Sequence, residues 1–243
     1  MSEPAQVIAL EEIDSTNLEA RRRLEAGESA PFWVTARRQT AGRGRRGRSW
    51  DTREGNLAAT LLMTTDRAPI EAAQVAFVAA LAVHDLACGF VPPSLVSLKW
   101  PNDTLIAGRK ASGVLVESGG LDERRIWLAV GIGVNLAHAP KDVERPATCL
   151  ADHMRAPPPP PHEAMRRLAE AFETWRGLWD RVGFSAIAEA WTRRAHGLGA
   201  RCQARLPNQT LEGVAEGMDE DGALRLRLDD GTLRRITAGD VFF

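Results

Sequence analysis

Six arginines and no acidic residue lie between Arg37 and Arg48, and the heart of that run, residues 41–50, reads AGRGRRGRSW. A guanidinium keeps its proton in a protein and presents a rigid fork of donors matched to carboxylate or phosphate oxygens. So many cations repel one another unless anions sit among them, and the run therefore predicts an anion site. Gly42, Gly44 and Gly47 also fit the G-x-G-x-x-G spacing of a dinucleotide loop. That motif opens a helix at its third glycine and works through backbone N–H groups, whereas here Arg48-Ser49-Trp50-Asp51-Thr52 offers no helical start. The glycines are better read as points where backbone approaches a ligand closely.

Two further stretches supply chemistry. KWPNDTLIAGRKASGVLVES, residues 99–118, joins a strand end, a Pro101-Asn102-Asp103 turn and a hairpin that returns Lys110 toward the same edge. GIGVNL, residues 131–136, ends another strand with two glycines and an amide. Taken singly, Asn102 and Asp103 read equally well as turn residues, Asn135 as a strand-end cap and Lys110 as an exposed hairpin lysine. Other chemistries find no support: there is no G-x-S-x-G, and His84, His138, His153, His162 and His196 show no zinc-ligand spacing.

The elements that must position these residues alternate irregularly. Residues 6–10, 32–36, 56–63, 95–100, 104–106, 111–117 and 126–134 suit strands, with Ala107-Gly108-Arg109 as a tight hairpin turn. A helix start is predicted within DSTNLEARRRLEAGE, capped by Thr16 with Glu19 three residues on and stopped at Gly27. Residues 71–88, apolar all round, suit a buried helix, and residues 163–181 carry Met165, Leu168, Phe172, Trp175 and Trp179 at helical steps. A further helix is expected over 184–195, and Pro157–Pro161 mark an extended loop. The mixture favours an α+β fold with a mostly antiparallel sheet. After Gly197-Leu198-Gly199 the pattern becomes purely β, which predicts a small barrel over 197–243 appended to a domain over 1–196.

The 31 basic and 32 acidic residues leave no bulk charge to attract nucleic acid, so any electrostatic function is local. The N-terminal residues lack a basic start followed by an apolar run, and 72–88 falls short of roughly 18 clean apolar residues. A cytoplasmic protein is expected, with Cys88, Cys149 and Cys202 as reduced thiols.

With these residues in view, the chain resembles the bacterial biotin–protein ligases: GRGRRGRSW, KWPNDTLIAGRKASGVLVES and GIGVN look like that family's three motifs, in its order. The similarity runs from about Ile8 into the C-terminal residues. It implies a biotin/lipoate ligase-like α+β domain, a mixed sheet backed by helices, followed by an SH3-like β-barrel. It also implies activation of biotin with Mg2+-ATP to biotinyl-5′-AMP, then transfer to a lysine of a biotin carboxyl carrier protein of acetyl-CoA carboxylase or a related carboxylase. By the resemblance, biotin would meet Ser15, Thr16, Asn17, Gln39, Arg43, Gly44, Arg45, Lys110 and Gly113. The adenylate would meet Arg43, Arg45, Arg48, Trp50, Asn102, Lys110 and Asn135, with Lys110, Arg45 and Asp103 as the catalytic set. Magnesium ligands are not assigned. Many members begin with a DNA-binding winged helix of about 60 residues, and with S-T-N starting at Ser15 no DNA partner is expected here; no membrane partner is expected, and a homodimer is left open. Lipoate or octanoate ligases, on the same fold, lack the arginine-rich loop.

Overall fold

The computed structural model describes residues 5–141 and 143–243; the first four residues, part of the stretch read for a leader, lie outside them. A seven-stranded sheet forms from β1 (Gln6–Ile13), β2 (Phe32–Gln39), β3 (Leu57–Thr65), β4 (Val96–Lys99), β5 (Asp103–Ile106), β6 (Arg109–Gly120) and β7 (Ile126–Val134), in the order β1-β2-β3-β7-β6-β5-β4. Only β1 and β2 run parallel; every other pairing is antiparallel.

Central strands are buried on both faces, which is why FWV and LAATLL read as continuous apolar runs rather than alternations. Phe32, Val34 and Leu62 point to one face, where they meet Ala20 of helix α1 (Thr16–Glu25). Trp33 and Leu61 point to the other, the main core, under α3 (Val75–Cys88), α4 (Pro161–Val182) and α5 (Phe184–Thr192). A short helix, α2 (Pro69–Ala72), leads into α3. Together Pro69–Cys88 pass a length-and-composition test for a membrane span, contrary to the shorter run read from sequence, yet 72% of the window is buried inside the protein. Alanines at 79, 80, 82 and 87 let α3 lie flat on the sheet.

Helix α4 begins at Pro161 itself, since proline is tolerated where the first-turn N–H has no partner anyway. Beyond α5, β8 (Arg201–Arg205), β9 (Thr210–Met218), β10 (Leu224–Arg227), β11 (Leu233–Ile236) and β12 (Asp240–Phe242) form an antiparallel sheet in the order β11-β10-β9-β8-β12. Among the described residues β11 and β12 are the edges of this sheet, whose five antiparallel strands fit the expected SH3-like module without a hydrogen-bonded closure between them. The core is continuous across the two sheets, with Leu224, Leu226 and Val241 joining Leu98 and Trp191.

Candidate functional site

Register builds the floor of the site. Cross-strand pairs link Lys99 to Asp103, Asp103 to Gly113, Gly113 to Gly133 and Gly133 to Ala58, one row that carries charge at the sheet edge and no bulk at its centre. A second row runs Leu115, Gly131, Thr60. Paired residues share a face, so both rows open toward the side on which α1 packs. The glycines are required by close approach: a Cβ on Gly131 would lie 2.2 Å from Asn17 Oδ1, and one on Gly133 would lie 2.2 Å from the Trp50 ring.

The β5–β6 hairpin turns on Ala107 and Gly108, both at positive φ, as a two-residue turn between twisted strands requires. Its register then slips: Thr104 pairs with Ser112 but Leu105 pairs with Lys110, leaving Ala111 extra. Without that bulge Lys110 would face away from Asp103, because a one-residue shift reverses every side chain. With it, Lys110 Nζ reaches Asp103 Oδ1 at 2.6 Å while Lys99 Nζ holds Oδ2 at 2.8 Å.

These rows and the Gly42–Trp50 loop enclose a pocket of about 430 Å³. All fourteen residues singled out from sequence line it: Ser15, Thr16, Asn17, Gln39, Arg43, Gly44, Arg45, Arg48, Trp50, Asn102, Asp103, Lys110, Gly113 and Asn135. One end is neutral and polar. There Gln39 Oε1 accepts from Thr16 N–H at 2.8 Å and from its hydroxyl at 3.1 Å, and Asn17 Nδ2 donates to Glu117 at 2.7 Å. The Thr60 hydroxyl has one hydrogen and two acceptors in reach, Thr16 Oγ1 and Asn17 Oδ1. Thr16 is therefore not the cap of α1. Ser15 occupies the N-cap position, without a side-chain cap bond, and the Thr16 hydroxyl is spent across the sheet.

The other end is cationic. Arg45 donates to Asn102 Oδ1 at 3.0 Å and to the Gly239 carbonyl at 3.1 Å, and burial pushes its pKa below the ordinary value. Burial would raise the Asp103 carboxyl, but Lys110 and Lys99 outweigh it and hold the group at about 2. Burial also lowers Lys99, against the pull of Asp103. The Asn102 amide donates to the Val114 carbonyl, and Asn135 Nδ2 donates to Thr148 at 3.0 Å. Trp50 lies over the glycine floor, its ring centroid 5.7 Å from Lys110 Nζ.

The arginine run resolves differently from the expectation of bound anions throughout. Arg37 pairs with Glu11 and Glu54, and Arg38 with Glu12, away from the pocket. Arg46 and Arg48 meet Asp240 of β12. Within the run only Arg43 and Arg45 have no carboxylate partner among the described residues, while Arg48 lines the same pocket with Asp240 as its partner. The loop itself is a small hairpin, with Trp50 N–H donating to Gly42 and Gly44 N–H to Arg48, and its tip held by Arg46 and Gly47 at positive φ.

Sequence reasoning passed over Gly131 and Gly133 as individual positions, and over Thr60, Arg145 and Asp240. The glycine spacing in GIGVN was the signal for the first two. Arg145 sits in an ordinary context, ERPA, and carried none, while AGDV, which holds Asp240, marked the resemblance of the C-terminal module but not a place in the pocket. No group of three or more His, Cys, Asp or Glu able to hold a metal occurs among the described residues. Cys88, Cys149 and Cys202 are free.

Comparison with known proteins agrees with this geometry. Residues 9–135 match the model of the biotin/lipoate A/B protein ligase family, and residues 197–243 match the biotin protein ligase C-terminal domain. The chain is 44% identical to the biotin–[acetyl-CoA-carboxylase] ligase of Paracoccus denitrificans over 95% of its length and 97% of that protein. It is 31% identical to the bifunctional ligase/repressor BirA of Bacillus subtilis over 86% of its length, spanning 65% of that protein. The solved biotin protein ligase from Aquifex aeolicus, in complex with biotin and ATP, superimposes with a TM-score of 0.80 at 26% identity, covering 98% of this chain and 97% of that one. With the motifs, the sheet order and these matches in agreement, the chain belongs to the biotin/lipoate A/B protein ligase family.

Proposed function

We propose that this protein is a biotin–protein ligase. The observation that carries the reading is a single pocket joining a neutral hydrogen-bonding end, a glycine floor and a cationic end. Its volume lies within the usual range of about 300–1,000 Å³ for small-molecule sites. In the first step a biotin carboxylate oxygen attacks the α-phosphorus of ATP; the new P–O bond forms as the bond to the β-phosphate bridging oxygen breaks, releasing pyrophosphate. Lysine nitrogen of the carrier domain then attacks the acyl carbon, the C–O bond to AMP breaks, and the amine gives up a proton.

Each end of the pocket has a task in that chemistry. Ser15, Thr16, Asn17 and Gln39 would hold the ureido ring through alternating donors and acceptors. Arg43, Arg45, Arg48 and Lys110 would offset the repulsion between a carboxylate and a polyphosphate, with fixed positive charge aimed at the phosphoryl oxygens. Gly44 and Gly113 would let the acyl-adenylate lie close to backbone. Trp50 would cover adenine, and Asn102 and Asn135 would meet the nucleotide. Held near 2, the Asp103 carboxyl is a poor base at neutral pH, so its task is to orient Lys110.

Magnesium would arrive on the ATP phosphates, since Asp103 and Asp240 are committed to cationic partners and form no metal cage of their own. The catalytic unit would span residues 1–196 and the C-terminal unit 197–243. A carrier protein of acetyl-CoA carboxylase or a related carboxylase would be the acceptor, in the cytoplasm, where three free thiols persist. Incubation with biotin, magnesium, ATP and a carrier domain, followed by mass measurement, tests the reading: a carrier heavier by one biotin, dependent on both small molecules, is expected. An unchanged carrier and no biotinyl-AMP would overturn it.

A further inference from the structure

One cation of the pocket has no task in the chemistry above. Arg145 lies between β7 and α4, fixed against the backbone of Lys110: Lys110 N–H donates to Pro146 at 2.9 Å, and Thr148 N–H returns to Lys110 at 2.9 Å. Its guanidinium stacks 4.0 Å over the Phe242 ring, and only 18% of the side chain is exposed. Among the described residues, its buried Nε and Nη2 find no acceptor. Asp103 Oδ2 lies 3.6 Å from Nη1 and Asp240 Oδ1 lies 3.9 Å from Nη2, both beyond hydrogen-bond length, and each carboxylate has two other cationic partners, all of them nearer. A buried guanidinium with unmet donors is costly unless a ligand with acceptor oxygens meets them.

Around those two carboxylates stand Lys99, Lys110, Arg45, Arg46, Arg48 and Arg145, more positive charge than the two of them balance. Lys110 occupies one oxygen of Asp103; Arg145 faces the other, on the side toward Asp240 and the C-terminal sheet. If Lys110 marks the α-phosphate, Arg145 stands one step further along the phosphate chain. Resting on the ligase reading, we propose that Arg145 binds the β- and γ-phosphoryl oxygens of ATP and holds the pyrophosphate leaving group.

The test compares wild type, Arg145→Gln, Arg145→Lys and a control, Arg205→Gln, which removes the guanidinium 4.5 Å from the same Phe242 ring; Arg205 does not itself line the pocket and reaches it only through its exposed pairing with Glu144. Losing a charge-assisted donor pair should raise the ATP KM and weaken inhibition by inorganic pyrophosphate by about tenfold or more. The biotin KM and equilibrium binding of AMP should stay within about twofold, Arg145→Lys should recover part of the loss by keeping charge without the fork, and the control should behave as wild type. Unchanged pyrophosphate inhibition, equal losses for biotin and ATP, or a loss of AMP binding matching that of pyrophosphate would each overturn the proposal. If wild type makes no biotinyl-AMP, the ligase reading fails, and direct titration of wild type and Arg145→Lys with pyrophosphate still decides whether Arg145 holds that anion.

Discussion

Asp103 is the residue on which the cationic end is organised. Its folded pKa of about 2 lies below its ordinary 3.8, so its contribution to stability is full above about pH 4 and is lost as pH falls through about 2. The shift corresponds to about 2 kcal/mol, and denaturant melts of wild type and an Asp103 variant across pH 2–6 should show the Asp103 share of stability lost in that acid window, with no change attributable to this group near neutrality. Asp103→Asn should cost about 3–5 kcal/mol, because Lys99 is left buried without its partner; a melting temperature like wild type would refute that. Lys110 is partly exposed, so Lys110→Ala should keep the fold while abolishing biotin- and ATP-dependent pyrophosphate release, read by a coupled assay. Much at this scale was legible because side-chain chemistry and motif spacing name the same residues. What sequence obscured was partnership: Thr16 looked like a cap until Gln39 and Thr60 took its hydroxyl, and the arginine run looked uniformly anion-seeking until Glu11, Glu12, Glu54 and Asp240 met it.

The strands explain why the glycines cannot vary. Gly131→Ala drives a methyl into Asn17, at the neutral end, whereas Gly133→Ala drives one into the Trp50 ring. The two variants should therefore separate in kinetics, Gly131→Ala raising the biotin KM and Gly133→Ala the ATP KM, each by about tenfold or more for about 1.4 kcal/mol or more of lost contact; identical profiles would show that the floor is not divided in this way. Strand positions at 32–36, 56–63 and 126–134 followed from apolar runs, and the 3.6-residue period gave α4 within two residues at its N-terminal end. The bulge at Ala111 was not legible, since KASG carries no glycine at the slipped position and the slip is set by pairing with β5. Yet that bulge is what puts Lys110 on the face of Asp103, so the proximity read from sequence was reached without its cause.

At the scale of the molecule, the C-terminal sheet takes part in the pocket. Asp240 of β12 meets Arg46 and Arg48, the Gly239 carbonyl accepts from Arg45, and Trp100 Nε1 donates to the Gly222 carbonyl at 2.9 Å. Asp240→Ala should free the arginine hairpin, giving tryptic cleavage between Arg43 and Arg48 and faster escape of the acyl-adenylate; protection equal to wild type would separate the sheet from the loop. A β pattern after residue 197 was readable from alternation and Asp-Gly turns, but its contact with the loop joins positions nearly two hundred residues apart, which local pattern does not encode. The imbalance between six cations and two carboxylates has a reach beyond the groups it touches, because the chain as a whole carries a net charge of only −1. Its field is local, fading over about 8 Å at physiological ionic strength, so small polyanions are steered into the mouth while extended ones such as duplex DNA gain little. Added salt should thus slow the association of ATP far more steeply than that of singly charged biotin, a contrast that rapid-mixing fluorescence can measure.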